Sequence, residues 1–149
     1  MTNKLPIKIR LATQEDVSFI FNSWLKSYRS SPFARCIANE VYFNEHHKVI
    51  EQIIKDNKVI VACNEKDDNQ LYGYIVAGNY EGFFILHYIY VKHSFRDMGI
   101  GTELLNHFEH DPTSASVYTH HTNLADKLKT KYNMIYHPYL LFNKEASND

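Results

Sequence analysis

The sequence predicts an α/β fold whose elements run β-α-α-β-β-β-α-β-α-β along one domain. Three observations carry this expectation. Val17, Ile20, Phe21, Trp24, Leu25 and Tyr28 recur at i, i+3, i+4, i+7, i+8 and i+11, the spacing of a helix with one buried face. Three strand-like runs then follow one another across short polar turns: KVIVACN (58–64), LYGYIVA (71–77) and FFILHYIYV (83–91). Behind the last of them, Gly99 and Gly101, two of only 5 glycines, separate a strand pattern from another helical one.

Each element has a local reason. Residues 7–11 alternate apolar and basic side chains, as a half-buried strand does. Thr13, with Asp16 three residues on, resembles a capping box and opens the first helix. Over residues 30–44 the pattern breaks up around Ser-Ser-Pro and small residues, so an irregular loop is expected, followed by a second helix on Val49, Ile50, Ile53 and Ile54. Residues 65–70 and 79–82 read as turns, which makes the 58–64 and 71–77 runs antiparallel neighbours. Residues 83–91 are apolar and aromatic almost throughout, as in a strand covered on both faces. Ile100, Leu104, Leu105 and Phe108 mark a third helix, stopped by Asp111-Pro112. Residues 114–119 form a strand candidate, Thr122 caps a helix burying Leu124, Ala125, Leu128 and Tyr132, and residues 134–142 supply the last strand.

At 149 residues the chain can bury about two-thirds of its unfolded surface, enough to fold without staples. One domain over 1–149 is expected, with 143–149 a flexible tail. The 16 basic and 17 acidic residues leave a net charge of -1 with no block of like charge, which argues against a nucleic-acid partner. Cys36 and Cys63 lie far apart without CxxC spacing and suit a reducing compartment. The N-terminal stretch lacks a signal-peptide core and no run reaches the length of a membrane span, so a cytoplasmic protein without a membrane partner is expected. With 11 Tyr and 9 Phe, the aromatic content is compatible with a homodimer.

A strand, a glycine turn and a helix in succession suit phosphate binding, because a helix start offers unpaired N–H groups and glycine lets an anion approach the backbone. The two familiar nucleotide loops do not match. A Walker A loop needs a Lys directly after its last glycine, and a dinucleotide fingerprint needs a small residue where this chain has Leu104. What remains is R-x-x-G-x-G, with Arg96, Gly99 and Gly101. Preceded by Leu86, Ile89 and Val91 and followed by Ile100, Leu104 and Leu105, it resembles the coenzyme A loop of the GCN5-related N-acetyltransferases. The element order and the opening IRLATQEDV resemble that family as well. Without those flanks the glycines would read as turn residues alone.

The resemblance implies a mixed, mostly antiparallel sheet flanked by helices and an acetyl-CoA-dependent N-acetyltransferase acting on a primary amine of a small molecule or protein. It implies a pyrophosphate site on Arg96, Asp97, Met98, Gly99, Ile100, Gly101 and Thr102, completed for the cofactor by Ile89, Val91 and Asn123. A strand bulge near Val91 would present an N–H to the thioester carbonyl. The family's usual base position falls on Ile85, so His87, two residues on, is the candidate base, with a core histidine as the other reading. The usual acid, a tyrosine of the last helix, falls on Lys129; Tyr132 is the substitute candidate, with core packing as the other reading. Tyr88 and Tyr90 are expected to pack.

Nine histidines invite a metal, yet HExxH is missing, and His107 and His110 fall on the polar side of their helix, so no metal is expected. His120 and His121, behind a strand that would border the cleft, are further active-site candidates. The acceptor amine is expected over residues 30–44. Departures at the acid and base positions leave a reading from another class, a weak or inactive relative that binds coenzyme A or a protein partner as a regulator.

Overall fold

The computed structural model describes residues 6–108 and 116–142. Six strands form one sheet in chain order: β1 (Ile7–Leu11), β2 (Lys58–Asn64), β3 (Asp67–Tyr80), β4 (Phe83–Val91), β5 (Ser116–Tyr118) and β6 (Met134–Tyr136). Neighbours from β1 to β4 are antiparallel, while β5 is parallel to β4 and β6 to β5. The parallel pairs follow from the chain, because each is joined through a helix rather than a hairpin. Helices α1 (Val17–Tyr28) and α2 (Asn39–Asp56) cover one face, and α3 (Ile100–Asn106) and α4 (Asn123–Tyr132) the other. This is the mixed, mostly antiparallel architecture expected from the sequence.

Local chemistry sets the element ends. The Asp16 carboxylate accepts the Thr13 N–H at 2.8 Å and two Arg10 N–H groups at 2.7 and 3.1 Å, so one side chain caps the first helical turn and ties it to β1. Glu81 and Gly82 both take positive φ, 50° and 85°, as a two-residue hairpin between β3 and β4 requires. Thr122 Oγ1 accepts the Ala125 N–H at 3.1 Å to open α4, and left-handed Asn133 closes it.

The sheet is covered on both faces, and each fully buried large apolar side chain contributes about 1.5–3 kcal/mol. Ile20, Trp24, Leu25 and Tyr28 of α1 join Tyr42, Ile50 and Ile53 of α2 against Val61, Tyr74, Val76 and Tyr88. On the opposite face Ile75, Leu86, Ile89 and Val91 meet Ile100, Leu104, Ala125 and Leu128. Among the described residues no helix is long and apolar enough to cross a membrane.

Three expectations need correction. β3 runs from Asp67 to Tyr80 rather than over 71–77, so the turns expected at 65–70 and 79–82 shrink to residues 65–66 and 81–82. The second helix starts at Asn39, well inside the expected loop, because its buried face opens with Tyr42 and His46 rather than with aliphatic residues. The connection before it contains a 3-10 turn (Ala34–Cys36), and Arg29 ties it by donating to Ile37 O at 2.9 Å and Asn39 Oδ1 at 3.1 Å. The last strand ends at Tyr136 instead of reaching residue 142. His137 still donates to Tyr118 O at 2.9 Å, but Pro138 has no N–H to continue the ladder. The expected Asp111-Pro112 stop, the beginning of the 114–119 strand, His110 and the 143–149 tail lie outside the described residues.

Candidate active site

The sheet forks at β4. Among the described residues only Phe84, Ile85 and Leu86 pair with β5, and Thr119 N–H adds a last bond to Leu86 O at 3.0 Å. Beyond that point β4 continues to Val91 while the chain after β5 turns into α4. The gap is a cavity of about 560 Å³, bordered by the end of β4, the loop after it, the first turns of α4 and the end of α1.

Most of the sequence-predicted cofactor residues meet there. Ile89 and Val91 line it from β4, Arg96, Asp97, Gly99, Ile100, Gly101 and Thr102 from the loop and α3, and Asn123 from α4. Arg96 Nε donates to Val91 O at 3.0 Å, folding the loop back onto the strand. Asp97 and Gly99 carry φ of 62° and 80°, the left-handed values that give the loop its tight path. Met98 is exposed and does not border the cavity.

His87 and Tyr132 do not border it either. Tyr132 is buried in the core between α4 and the sheet. His87 is 1% exposed and its Nδ1 lies 3.0 Å from Thr119 Oγ1. The bulge expected near Val91 falls instead at His87: Val76 opposes Tyr88 while Ala77 opposes Leu86, leaving His87 as the extra residue. Near Val91 the ladder is regular, held by the Gly73–Val91 pair and by Lys92 N–H to Tyr72 O at 2.8 Å. The bulge also resets the side-chain alternation, so Leu86 and Ile89 face α3 while Tyr88 faces α1.

Three buried histidines form a chain at the fork. His46 Nε2 lies 3.0 Å from His120 Nε2, His120 Nδ1 lies 3.0 Å from Thr119 Oγ1, and that hydroxyl meets His87. Burial pushes His46 down to about 4; burial, then the neighbouring His46 and His87, hold His120 well below its ordinary value. His46 and His120 are therefore neutral at physiological pH. His121 turns outward to Asp126 at 3.5 Å. Among the described residues no group of His, Cys, Asp and Glu is gathered as a metal would need.

Sequence reasoning overlooked several groups on the cavity wall. Ser27 comes from α1 and Ser30 from the turn just after it, and Lys127 stands one helical turn beyond Asn123, a spacing that could have identified it. Tyr88 and Tyr90 line the cavity as well as packing; the Tyr88 ring stacks on Trp24 with centroids 4.6 Å apart. The positions usual for base and acid hold buried Ile85 and Lys129, the latter paired with Asp126 at 2.9 Å.

Comparison with known proteins agrees with this geometry. No curated protein matches the chain. Among solved structures it is similar to a possible acetyltransferase from Clostridium difficile 630, with 18% identity over 94% of this chain and 97% of the other and a TM-score of 0.56. It is also similar to the histone acetyltransferase HPA2 and related acetyltransferase from Corynebacterium glutamicum ATCC 13032, with 16% identity over 68% and 69% of the two chains and a TM-score of 0.53. At such identities the likeness is one of fold. The family model described as the acetyltransferase (GNAT) family matches residues 19–124. That span runs from α1 through the forked strand and its glycine loop to the start of α4, and the chain belongs to the GNAT family of acetyltransferases.

Proposed function

We propose that the protein is an acetyl-CoA-dependent N-acetyltransferase that moves an acetyl group to a primary amine of a small molecule or protein. The observation that carries this reading is the meeting of the Arg96–Gly101 loop, the free end of β4 and the start of α4 around one cavity. The residues present suit coenzyme A. A Cβ built on Gly99 would meet nothing within 4 Å, so the loop is open at its tightest point. Arg96 and Lys127 face the cavity against a single carboxylate, Asp97, and Ile89, Val91, Leu124 and Leu128 supply an apolar wall.

Bound acetyl-CoA would supply the activated thioester. The backbone of residues 97–102 and Arg96 would hold the pyrophosphate, and Ile89 and Val91 would orient the pantetheine arm along β4. That path leaves Tyr88, Ser27 and Ser30 at the reacting end, with the amine entering past Ser30 and the α1–α2 connection. Because neither His87 nor Tyr132 borders the cavity, the proposed reaction uses neither directly.

Calorimetric titration with acetyl-CoA and a thiol-release assay over an amine panel test the proposal. Sub-millimolar binding with amine-dependent thiol release is the expected result. Failure to bind acetyl-CoA would overturn it. Ile85 and Lys129 at the usual base and acid positions favour a second reading, a coenzyme-binding regulator, which binding without thiol release would support.

A further inference from the structure

Two hydroxyl pairs dock α1 onto the sheet. Ser23 Oγ lies 3.0 Å from the Tyr74 hydroxyl of β3, and one turn later Ser27 Oγ lies 2.6 Å from the Tyr88 hydroxyl of β4. Each serine also donates to the carbonyl four residues back, Ser23 to Phe19 O and Ser27 to Ser23 O, both at 2.6 Å. A serine has one hydrogen, so with Ser27 donating to its helix carbonyl, Tyr88 donates to Ser27. The remaining phenol lone pair is then available as an acceptor. The two pairs share a serine–tyrosine contact and differ in two ways: the Tyr74 hydroxyl also donates to Ile20 O at 3.2 Å, and Ser27 and Tyr88 border the cavity, whereas Ser23 and Tyr74 do not. The Tyr88 ring is held nearly parallel to Trp24, at 5°, with Tyr28 edge-on at 6.0 Å.

We propose that Tyr88, seated on Ser27, is a catalytic residue that shuttles a proton from the attacking amine to the departing sulfur. This rests on the acetyl-CoA reading above. With the pyrophosphate on the loop after β4, the pantetheine arm runs back past Val91 and Ile89, which brings the thioester to Tyr88. The amine nitrogen bonds to the acetyl carbon, the C–S bond breaks, and its electron pair stays on sulfur. Tyr88 accepts on its free lone pair the proton that the nitrogen loses, while its own hydrogen swings from Ser27 Oγ to the sulfur, so amide and free thiol form and the phenol, restored, returns to Ser27. Burial pushes the Tyr88 phenol above its ordinary range, which disfavours a phenolate and couples the two transfers in one event. Ser27 is the positioning residue that aims the hydroxyl.

The Tyr74–Ser23 pair supplies the control. Acetyl-CoA affinity, melting temperature and thiol release with the best amine of the panel, or with water, are measured for wild type, Tyr88→Phe, Tyr74→Phe, Ser27→Ala and Ser27→Thr. Tyr88→Phe is expected to bind acetyl-CoA as wild type does while kcat falls about 10²-fold. Tyr74→Phe loses the other serine–tyrosine contact, and a bond to Ile20 O with it, away from the cavity and is expected to keep the wild-type kcat. Ser27→Ala lowers kcat with unchanged acetyl-CoA affinity, and Ser27→Thr restores it. Equal effects of Tyr88→Phe and Tyr74→Phe on kcat overturn the shuttle and leave Tyr88 a docking latch. A wild type that binds acetyl-CoA and releases no thiol overturns it together with the activity, whereas one that fails to bind acetyl-CoA refutes the coenzyme reading itself.

Discussion

Replacing Gly73 with alanine is expected to damage the cofactor wall from behind. Gly73 pairs with Val91 in the β3–β4 ladder, and an added Cβ would run into the Tyr90 carbonyl oxygen while standing 3.1 Å from Val91 Cα. These are backbone atoms of a central strand, fixed just beyond by Lys92 N–H to Tyr72 O at 2.8 Å, so no side-chain rotation relieves the contact. Overpacking against side chains costs about 1–3 kcal/mol, and a collision with backbone belongs at or above the top of that range. In a domain of this size each kcal/mol moves the melting temperature by about 3 °C, which places the shift near about 10 °C. Because β4 must give way at Tyr90 and Val91, the cavity wall moves too, and acetyl-CoA affinity is expected to fall at least about tenfold, or about 1.4 kcal/mol. Thermal melting and calorimetric titration of Gly73→Ala measure both effects. A melting temperature within about 2 °C of wild type, with unchanged affinity, would mean that β3 and β4 do not meet in this register.

Gly101→Leu tests the loop directly. A Cβ at Gly101 has ordinary room, 3.7 Å from Ile89 Cδ1 and 3.8 Å from Leu124, but the rest of a leucine must enter the cavity, so acetyl-CoA affinity should drop while Gly101→Ala stays near wild type. Asp97→Gly relieves left-handed strain of about 1 kcal/mol but adds similar chain entropy to the unfolded state, so stability should hold. Removing the carboxylate beside the anion site should tighten acetyl-CoA binding several-fold, and unchanged affinity would place Asp97 outside that site. Burial lowers His46 to about 4 in the fold, against about 6.5 when unfolded, so acid favours the unfolded chain. Stability should be complete above about pH 6.5 and decline by up to about 3 kcal/mol as pH falls towards 4, with His120 acting in the same direction; a flat melting profile across that window would contradict the burial of His46.

What was legible in the sequence was local. α1 and β4 could be read to the residue because their apolar spacing is set by their own backbone periods, and the glycine loop because R-x-x-G-x-G lies within six positions. The start of α2 was hidden by chemistry, since Tyr42 and His46 bury a face that an aliphatic pattern does not mark. Its connection to α1 depends on Arg29 reaching across the loop to Ile37 and Asn39, which no local pattern announces. The far wall of the cavity was hidden by topology: Ser27 and Ser30, at the end of α1 and just past it, and Lys127 of α4 are far apart in the chain. The bulge left no compositional trace, because every residue around His87 already suits a buried strand.

That bulge explains why the fork opens where it does. The run from Phe83 to Val91 is apolar enough to pair with a neighbour along its whole length, yet it pairs with β5 only as far as Leu86. The next residue is the extra one, His87, and Thr119 Oγ1 lies 3.0 Å from its ring and 3.0 Å from that of His120. The hydroxyl has one hydrogen, and with His87 O more distant at 3.5 Å it donates to one imidazole and accepts from the other. If it donates to His87, His120 Nδ1 is the donor to threonine and His46 donates to His120; if it donates to His120, every direction reverses. Either arrangement needs only neutral rings, the state that burial enforces at His46 and His120. Apolar packing alone tolerates a strand sliding by a residue, whereas this chain requires His87 to meet Thr119 and His120 to meet α2 at hydrogen-bond distance. The opening of the cavity is therefore fixed by the directional bonds of the one imidazole in an otherwise apolar and aromatic strand.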